Sequence, residues 1–349
     1  MGAVPLIRFL CFRSGLLLLS LLLCDSDMLM AQSGESKQKS EEPMPLNLKL
    51  KTMGGRQFWT DVIHISDWRI QRNAMTGHHR LIDPDDIRHG WGTLQQCKQI
   101  LDDRVHKGSL APNSGKVVLV LHGLMRSSQS MEPMVKHLRE EGGYQLINMQ
   151  YASSRNVVAR HASDLAGLIS NLGPDVTEIN FVAHSMGNIV IRHYLKDLEV
   201  RGDVVDGRFH RMVMIGPPNQ GSKMAHVLRN SILFKSLAGL PGSQLGEKWS
   251  ELQPHLATPA FEFGIIAGGQ TDSQKLNNFV LNGPDDFTVA LEETRLAGAQ
   301  DWLVRPLVHT TMMKNELTLQ ATLRFLQHGF FVSSDDMNPI LVSASELDR

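Results

Sequence analysis

Ser185 stands in "FVAHSMGN" (181–188), with Ala183 two residues before it and Gly187 two residues after. A serine hydroxyl becomes a useful nucleophile when a base sits beside it and the chain presents it at an exposed turn. A sharp strand–serine–helix turn crowds the positions at −2 and +2, so both must be small, and both are. An N-capping serine between a strand and a helix would fit the same eight residues. The rest of the chain has to decide between the two.

Acyl chemistry at Ser185 would need two backbone N–H donors for a developing oxyanion, one after the serine and one from an upstream strand end. Met186 follows the serine, and Leu124 in "LHGLMRS" (121–127) follows His122 and Gly123. It would also need an acid and then a histidine, in that chain order. Among the 15 histidines, His309 combines a late position with the end of an apolar run, "DWLVRPLVHT" (301–310). His255 lies in a proline-rich stretch and His328 at a helix end, which makes both weaker competitors. For the acid, "NGPDDFTV" (282–289) offers Asp286 first, Asp285 as alternate, and Asp272 lies further off. A buried carboxylate there would orient the imidazole and stabilise its cation.

These residues must be held by regular elements, and the pattern supplies them. "KVVLVLHG" (116–123) is apolar on both faces, as a buried parallel strand is. Strands follow at 144–151, at "INFVAHS" (179–185), at "RMVMIGPP" (211–218), at "FEFGIIAGG" (261–269) and in the run that ends at His309. Helices alternate with them at 131–141, at 186–196 and at 316–328. Between them Val158, Ala162, Leu165, Ile169 and Leu172 recur at four-and-three spacing, an amphipathic stripe. Alternation of this kind predicts an α/β architecture, a mostly parallel sheet with helices on both faces, across residues 116–330. Residues 46–115 read as an N-terminal extension, with Trp59, Trp68 and Trp91 expected to pack it on the core and a strand near 58–65. Residues 221–259 are long for a loop and include "SILFKSLAGLPG" (231–242), either a lid over the site or a plain connecting helix. Residues 331–349 read as a C-terminal tail.

At 349 residues and 42% hydrophobic content the chain can bury a large core, and its net charge of −1 gives no field favouring nucleic acid or an anionic membrane. The first 31 residues differ: Arg8 and Arg13 precede "GLLLLSLLLC" (15–24), and Ala31 ends the polar exit. A run that short spans a bilayer poorly, and the pattern is that of a secretory signal rather than an uncleaved membrane anchor, followed by a disordered linker over 32–45. Cleavage there would leave Cys97 as the sole cysteine of the mature chain, hence no internal disulfide. The cluster His78, His79, Asp83, Asp85 and Asp86 fits no metal-ligand spacing. His184, next to the serine, reads as a packing residue because neighbours in such a turn point apart.

Together "VLVLHGL", "FVAHSMGN", "IGPPNQGS" and the pair "PDDFTV" and "VHTTM" resemble the α/β-hydrolase superfamily, and within it the small serine lipases and esterases whose turn reads A-H-S-M-G. The resemblance spans roughly residues 116–328. That group commonly carries glycine after its aspartate, where Phe287 stands here. The resemblance implies an α/β-hydrolase fold and hydrolysis of carboxylic esters through Ser185, His309 and Asp286. Leu124 and Met186 would form the oxyanion hole, with no metal and no cofactor. It implies a small-molecule or lipid ester as substrate, with transient contact to a lipid surface in the latter case. Runners-up are an amidase or acyltransferase on the same residues, or a non-catalytic scaffold.

Overall fold

The computed structural model describes residues 49–52, 55–269 and 284–342. The signal and linker readings, and Asp272, fall outside the described residues. The first strands are short: β1 (Leu50–Lys51), β2 (Trp59–Ile65), β3 (Trp68–Asn73), β4 (His79–Ile82) and β5 (Ile87–Gly92). They form an antiparallel sheet in the order β1-β5-β4-β3-β2. Helix α1 (Leu94–His106) begins with a capping box in which Thr93 and Gln96 satisfy each other's backbone N–H. Its buried Cys97 and Leu101 close on Ile63, Ile70 and Leu81, a small core of its own.

The second sheet holds β6 (Gly115–Leu121), β7 (Gln145–Met149), β8 (Val176–His184), β9 (Phe209–Ile215), β10 (Glu262–Gly268) and β11 (Asp301–Arg305). Their order is β11-β10-β9-β8-β6-β7, and every pairing is parallel. Alternate residues of β6 face opposite layers, as the two-residue period of a strand requires. Val117, Leu119 and Leu121 join α3 (Val158–Ser170) and α4 (Met186–Arg201) on one side. Val118 and Val120 join α2 (Glu132–Gly142) and α8 (Glu316–His328) on the other. Because both faces are covered, Val117 to Leu121 are fully buried, which is why the segment carries no polar alternation. This is the α/β-hydrolase arrangement of a parallel sheet between two helical layers.

The N-terminal sheet meets this core through polar groups. The Asp61 N–H donates to the Gln150 carbonyl at 2.8 Å, and the Gln150 N–H returns a bond to Asp61 Oδ2 at 2.7 Å. The Ala152 N–H donates to Thr60 Oγ1, and Arg72 Nη2 lies 2.7 and 2.8 Å from the two oxygens of buried Asp164 on α3. The tryptophans do not form this seam. Trp59 packs on His78, Trp91 and Arg80, and Trp68 on His89 and Arg104, all within the extension. Phe58, under the Arg155 guanidinium, is the aromatic that crosses. The C-terminal stretch also lies on the core: Phe331 is fully buried against Phe325, and Ile340 exchanges backbone bonds with Gly298 and Ala299.

Candidate active site

Every strand of the parallel sheet points its C-terminal end toward one edge, and the candidate residues come from the loops there. Ser185 joins β8 to α4 with φ 52° and ψ −124°, a conformation that costs a non-glycine residue of order 1–3 kcal/mol. The surroundings hold it. Its N–H donates to the Ile215 carbonyl of β9 at 2.9 Å, and its carbonyl accepts from the Asn188 N–H and side-chain amide. A β-carbon on Gly187 would lie 2.9 Å from both the Leu121 and His122 carbonyl oxygens, so the first turn of α4 lies this close to β6 only with glycine there.

The imidazole is placed by a separate construction. β11 stops at Arg305, before Pro306, and His309 opens a 3-10 turn spanning His309–Lys314. The His309 N–H donates to the Asp286 carbonyl at 3.0 Å, and its Nδ1 lies 2.6 Å from Asp286 Oδ2. Asp286 is fully buried, and its Oδ1 accepts the N–H groups of Thr288 at 2.9 Å and Val289 at 2.7 Å. The carboxylate is therefore fixed by three donors. Gly268, at the end of β10, makes the room: a β-carbon there would fall 2.5 Å from the Asp286 β-carbon. Asp285 points elsewhere and accepts from the Phe287 N–H at 2.6 Å. Phe287, where the resembling group commonly has glycine, adopts φ 75°, the left-handed backbone glycine takes without strain. His255 stacks on His193 and His328 on Phe330.

Ser185 and His309 line one cavity of about 150 Å³, together with Leu124, Met125, Arg126 and His184. Among the described contacts their side chains do not close a hydrogen bond to each other, a bond that in unliganded enzymes often tightens only when substrate arrives. The N–H groups of Leu124 and Met186 have no acceptor among the described residues. Part of the wall comes from the 221–259 segment. It folds as α5 (Lys223–Val227), α6 (Ile232–Leu245, bent at Gly239) and α7 (Trp249–Leu252), and it contributes Ser222, Met224, Ala225 and Leu245.

His184 has a defined task. Its Nε2–H donates to the His309 carbonyl at 3.0 Å, which leaves Nδ1 unprotonated and without a partner among the described residues. Burial and the neighbouring His309 hold its pKa well below the usual imidazole value, so it is a neutral brace for the His309 backbone. His122 is likewise neutral, pushed down to about 4 by burial; its Nδ1–H donates to the Gly123 carbonyl and its ring stacks on Tyr151. Sequence reasoning missed this bracing, and it missed Gly268, whose signal was available as the strand-ending glycine in "AGG" (267–269). Of the histidine and aspartate cluster at 78–86, His78 packs on Trp59 and Trp91, Asp83 pairs with His89, and Asp86 pairs with Arg56 and Arg69.

Residues 142–233, which run from the end of α2 through the Ser185 turn, match a family described as alpha/beta hydrolase of unknown function (DUF900). That family is one of α/β-hydrolases, and the match is confined to the part of the parallel-sheet fold that holds the Ser185 turn. No curated protein sequence matches it. Among solved structures it is similar to a mature lipase from Bacillus licheniformis, at 17% identity and TM-score 0.44, covering 62% of this chain and 93% of that one. A gene product from Listeria innocua gives 16% identity and TM-score 0.45 over 66% of this chain and 99% of that one. A metagenomic carboxyl esterase gives 16% and 0.43 over 57% and 66%. Likenesses this distant carry nothing about substrate.

Proposed function

We propose that the chain is an exported serine hydrolase of carboxylic esters, with Ser185 as nucleophile, His309 as base and Asp286 as the acid that orients it. The observation that carries the reading is one juxtaposition. The Asp286–His309 pair, closed at 2.6 Å, opens onto the same cavity as a serine held at φ 52°. A buried aspartate–histidine pair alone is common structural glue; opposite a strained serine at the C-terminal edge of a parallel sheet it has a use.

In this reading Asp286 accepts the Nδ1–H of His309, which leaves Nε2 free to take the Ser185 proton as Oγ attacks the ester carbonyl. The resulting oxyanion is met by the N–H groups of Leu124 and Met186. Collapse breaks the carbonyl–alkoxy bond, and His309 returns its proton to the departing alcohol. A water molecule, deprotonated by the same nitrogen, then releases the acid from Ser185. The chemistry draws on side chains and backbone alone.

The cavity size bears on the acyl group. At about 150 Å³, with Leu124, Ala225, Leu245 and Val289 in its wall, it is smaller than the ~300 Å³ at the low end of drug-sized sites. That favours short acyl chains in the conformation described, and the 221–259 helices act as a lid if longer ones are admitted. Export rests on the residue pattern of the first 31 positions, and N-terminal sequencing of the secreted form, expected to start at Gln32, tests it.

A panel of p-nitrophenyl esters from acetate to palmitate, run beside a fluorophosphonate label, tests the chemistry. Turnover should peak at the short end, and labelling should map to Ser185 and vanish in Ser185→Ala. Near-normal turnover in Ser185→Ala, with its melting curve unchanged, would refute the assignment.

A further inference from the structure

A second cavity, of about 610 Å³, lies on the seam between the N-terminal sheet and the hydrolase core, and no part of the proposed chemistry uses it. Three guanidinium groups line it, those of Arg56, Arg69 and Arg80, against one carboxylate, Asp86. Its other wall comes from Ser127 and Gln129, in the loop after β6, and from Gln150. Three cations drawn around a polar hollow repel one another, and a surplus of this kind needs a counter-charge.

The wall does not supply enough of one. Asp86 is shared: Oδ2 lies 3.3 Å from Arg56 Nη2, and Oδ1 lies 2.7 Å from Arg69 Nη2. The Arg69 Nε is buried and has no acceptor among the described residues. Arg80, only 7% exposed, gives Nε and Nη2 to the neutral oxygen of Gln71, at 2.9 and 2.7 Å, and lays its guanidinium over the Trp59 ring. Asp61 lies behind Gln71, which takes one of its oxygens at 2.8 Å, while Gln150 takes the other. Burial lowers the Arg80 pKa to about 10, so the group remains cationic at neutral pH with a neutral direct partner.

We propose that this seam cavity is a binding site for a small phosphate-bearing anion, held by Arg56, Arg69 and Arg80. Guanidinium forks match the several oxygens of a phosphate better than the two of a carboxylate when three of them converge. The volume exceeds that of bare phosphate and leaves room for a polar body, which the amides of Gln57 and Gln129 can meet. The site touches the proposed active site through the chain itself. Gly123 to Arg126 face the Ser185 cavity, while Ser127 to Gln129 face this one, and Gln57 Nε2 donates to the Arg126 carbonyl at 2.6 Å. The proposal itself does not depend on what Ser185 does.

The test is calorimetric titration of the full chain with pyrophosphate and with glycerol 3-phosphate at low salt, with amide exchange measured in parallel. Binding should be saturable, weaken as salt rises, and slow exchange within residues 127–129. Arg56→Gln, at a side chain 41% exposed, should weaken binding while keeping its melting curve, and the Arg56→Gln Arg69→Gln double variant, read at a temperature where its melt shows it folded, should lose at least about tenfold in affinity. No binding at millimolar pyrophosphate would overturn the proposal, as would equal affinity in the double variant or protection confined elsewhere. Vesicles of phosphatidic acid in phosphatidylcholine separate the two sources of the phosphate. Retention on them that depends on Arg56 and Arg69 assigns a lipid headgroup, and binding of the soluble probes alone assigns a free ligand.

Discussion

Replacing Asp286 by asparagine changes one atom's charge and reverses what His309 is able to do. The side chain has little freedom to turn, because Oδ1 accepts the N–H groups of both Thr288 and Val289. An asparagine that kept its oxygen there would present its NH2 to His309 Nδ1, across the 2.6 Å now closed by Oδ2. The opposite flip would set the NH2 against two backbone donors and leave both unsatisfied in a buried site, at about 1–3 kcal/mol each. The first orientation therefore wins. With an N–H facing it, Nδ1 must accept, and the ring proton moves to Nε2, the atom that has to be a lone pair for Ser185 to be deprotonated. The same exchange in a serine protease costs about 10⁴-fold in kcat, or about 5 kcal/mol of transition-state stabilisation. Asp285→Asn is the control: its contact to the Phe287 N–H survives in an amide oxygen, and the carboxylate on His309 Nδ1 is that of Asp286. The assay is kcat/KM on p-nitrophenyl butyrate with thermal melts of both variants. Asp286→Asn should fall by about four decades and Asp285→Asn by less than one. Asp286→Asn within tenfold of the parent, with Asp285→Asn crippled, would refute the tautomer argument and the choice of acid together.

Other perturbations probe the framework. Gly187→Ala should cost about 1–3 kcal/mol by urea denaturation, because its β-carbon meets two backbone oxygens that cannot retreat without opening β6 from α4; an unchanged midpoint would show that the contact relaxes freely. Arg192 is buried and binds the Ala257 and Asn219 carbonyls, so Arg192→Met should lose about 2–4 kcal/mol by stranding both, and a neutral result would mean that those carbonyls find other donors. Acid should destabilise the fold through its buried histidines. Burial depresses His64 and His161 to about 3 and His122 to about 4, so the unfolded chain binds more protons than the folded one below pH 6.5. Stability is then full above that pH and declines as pH falls toward 4, by about 1.4 kcal/mol per unit for each histidine. Equal urea midpoints at pH 7.5 and 5 would contradict it.

The parallel sheet was legible because burial on both faces leaves an unbroken apolar run, and β6, β8, β9 and β10 each show one. The N-terminal sheet was not. β3 reads "WRIQRN" and β4 reads "HRLI", with arginines that serve a polar seam and a cation-lined cavity where hydrophobic alternation would be expected. Tryptophans suggested an aromatic interface, yet they are used up inside the extension by stacking on its own histidines and arginines. The candidate site divides in the same way. Ser185 announced itself by local crowding, a constraint written in the residues at −2 and +2. His309 could be named only by chain order and by an apolar run, and the strand that suggested it ends four residues earlier. What brings the imidazole to the sheet edge is long-range: its own N–H on the Asp286 carbonyl, its carbonyl on the His184 ring, and the absence of a side chain at Gly268. Each is a contact between segments whose separation along the chain carries no periodic signal. A sequence therefore betrays a strained turn sooner than the imidazole placed beside it, since strain is local and orientation is not.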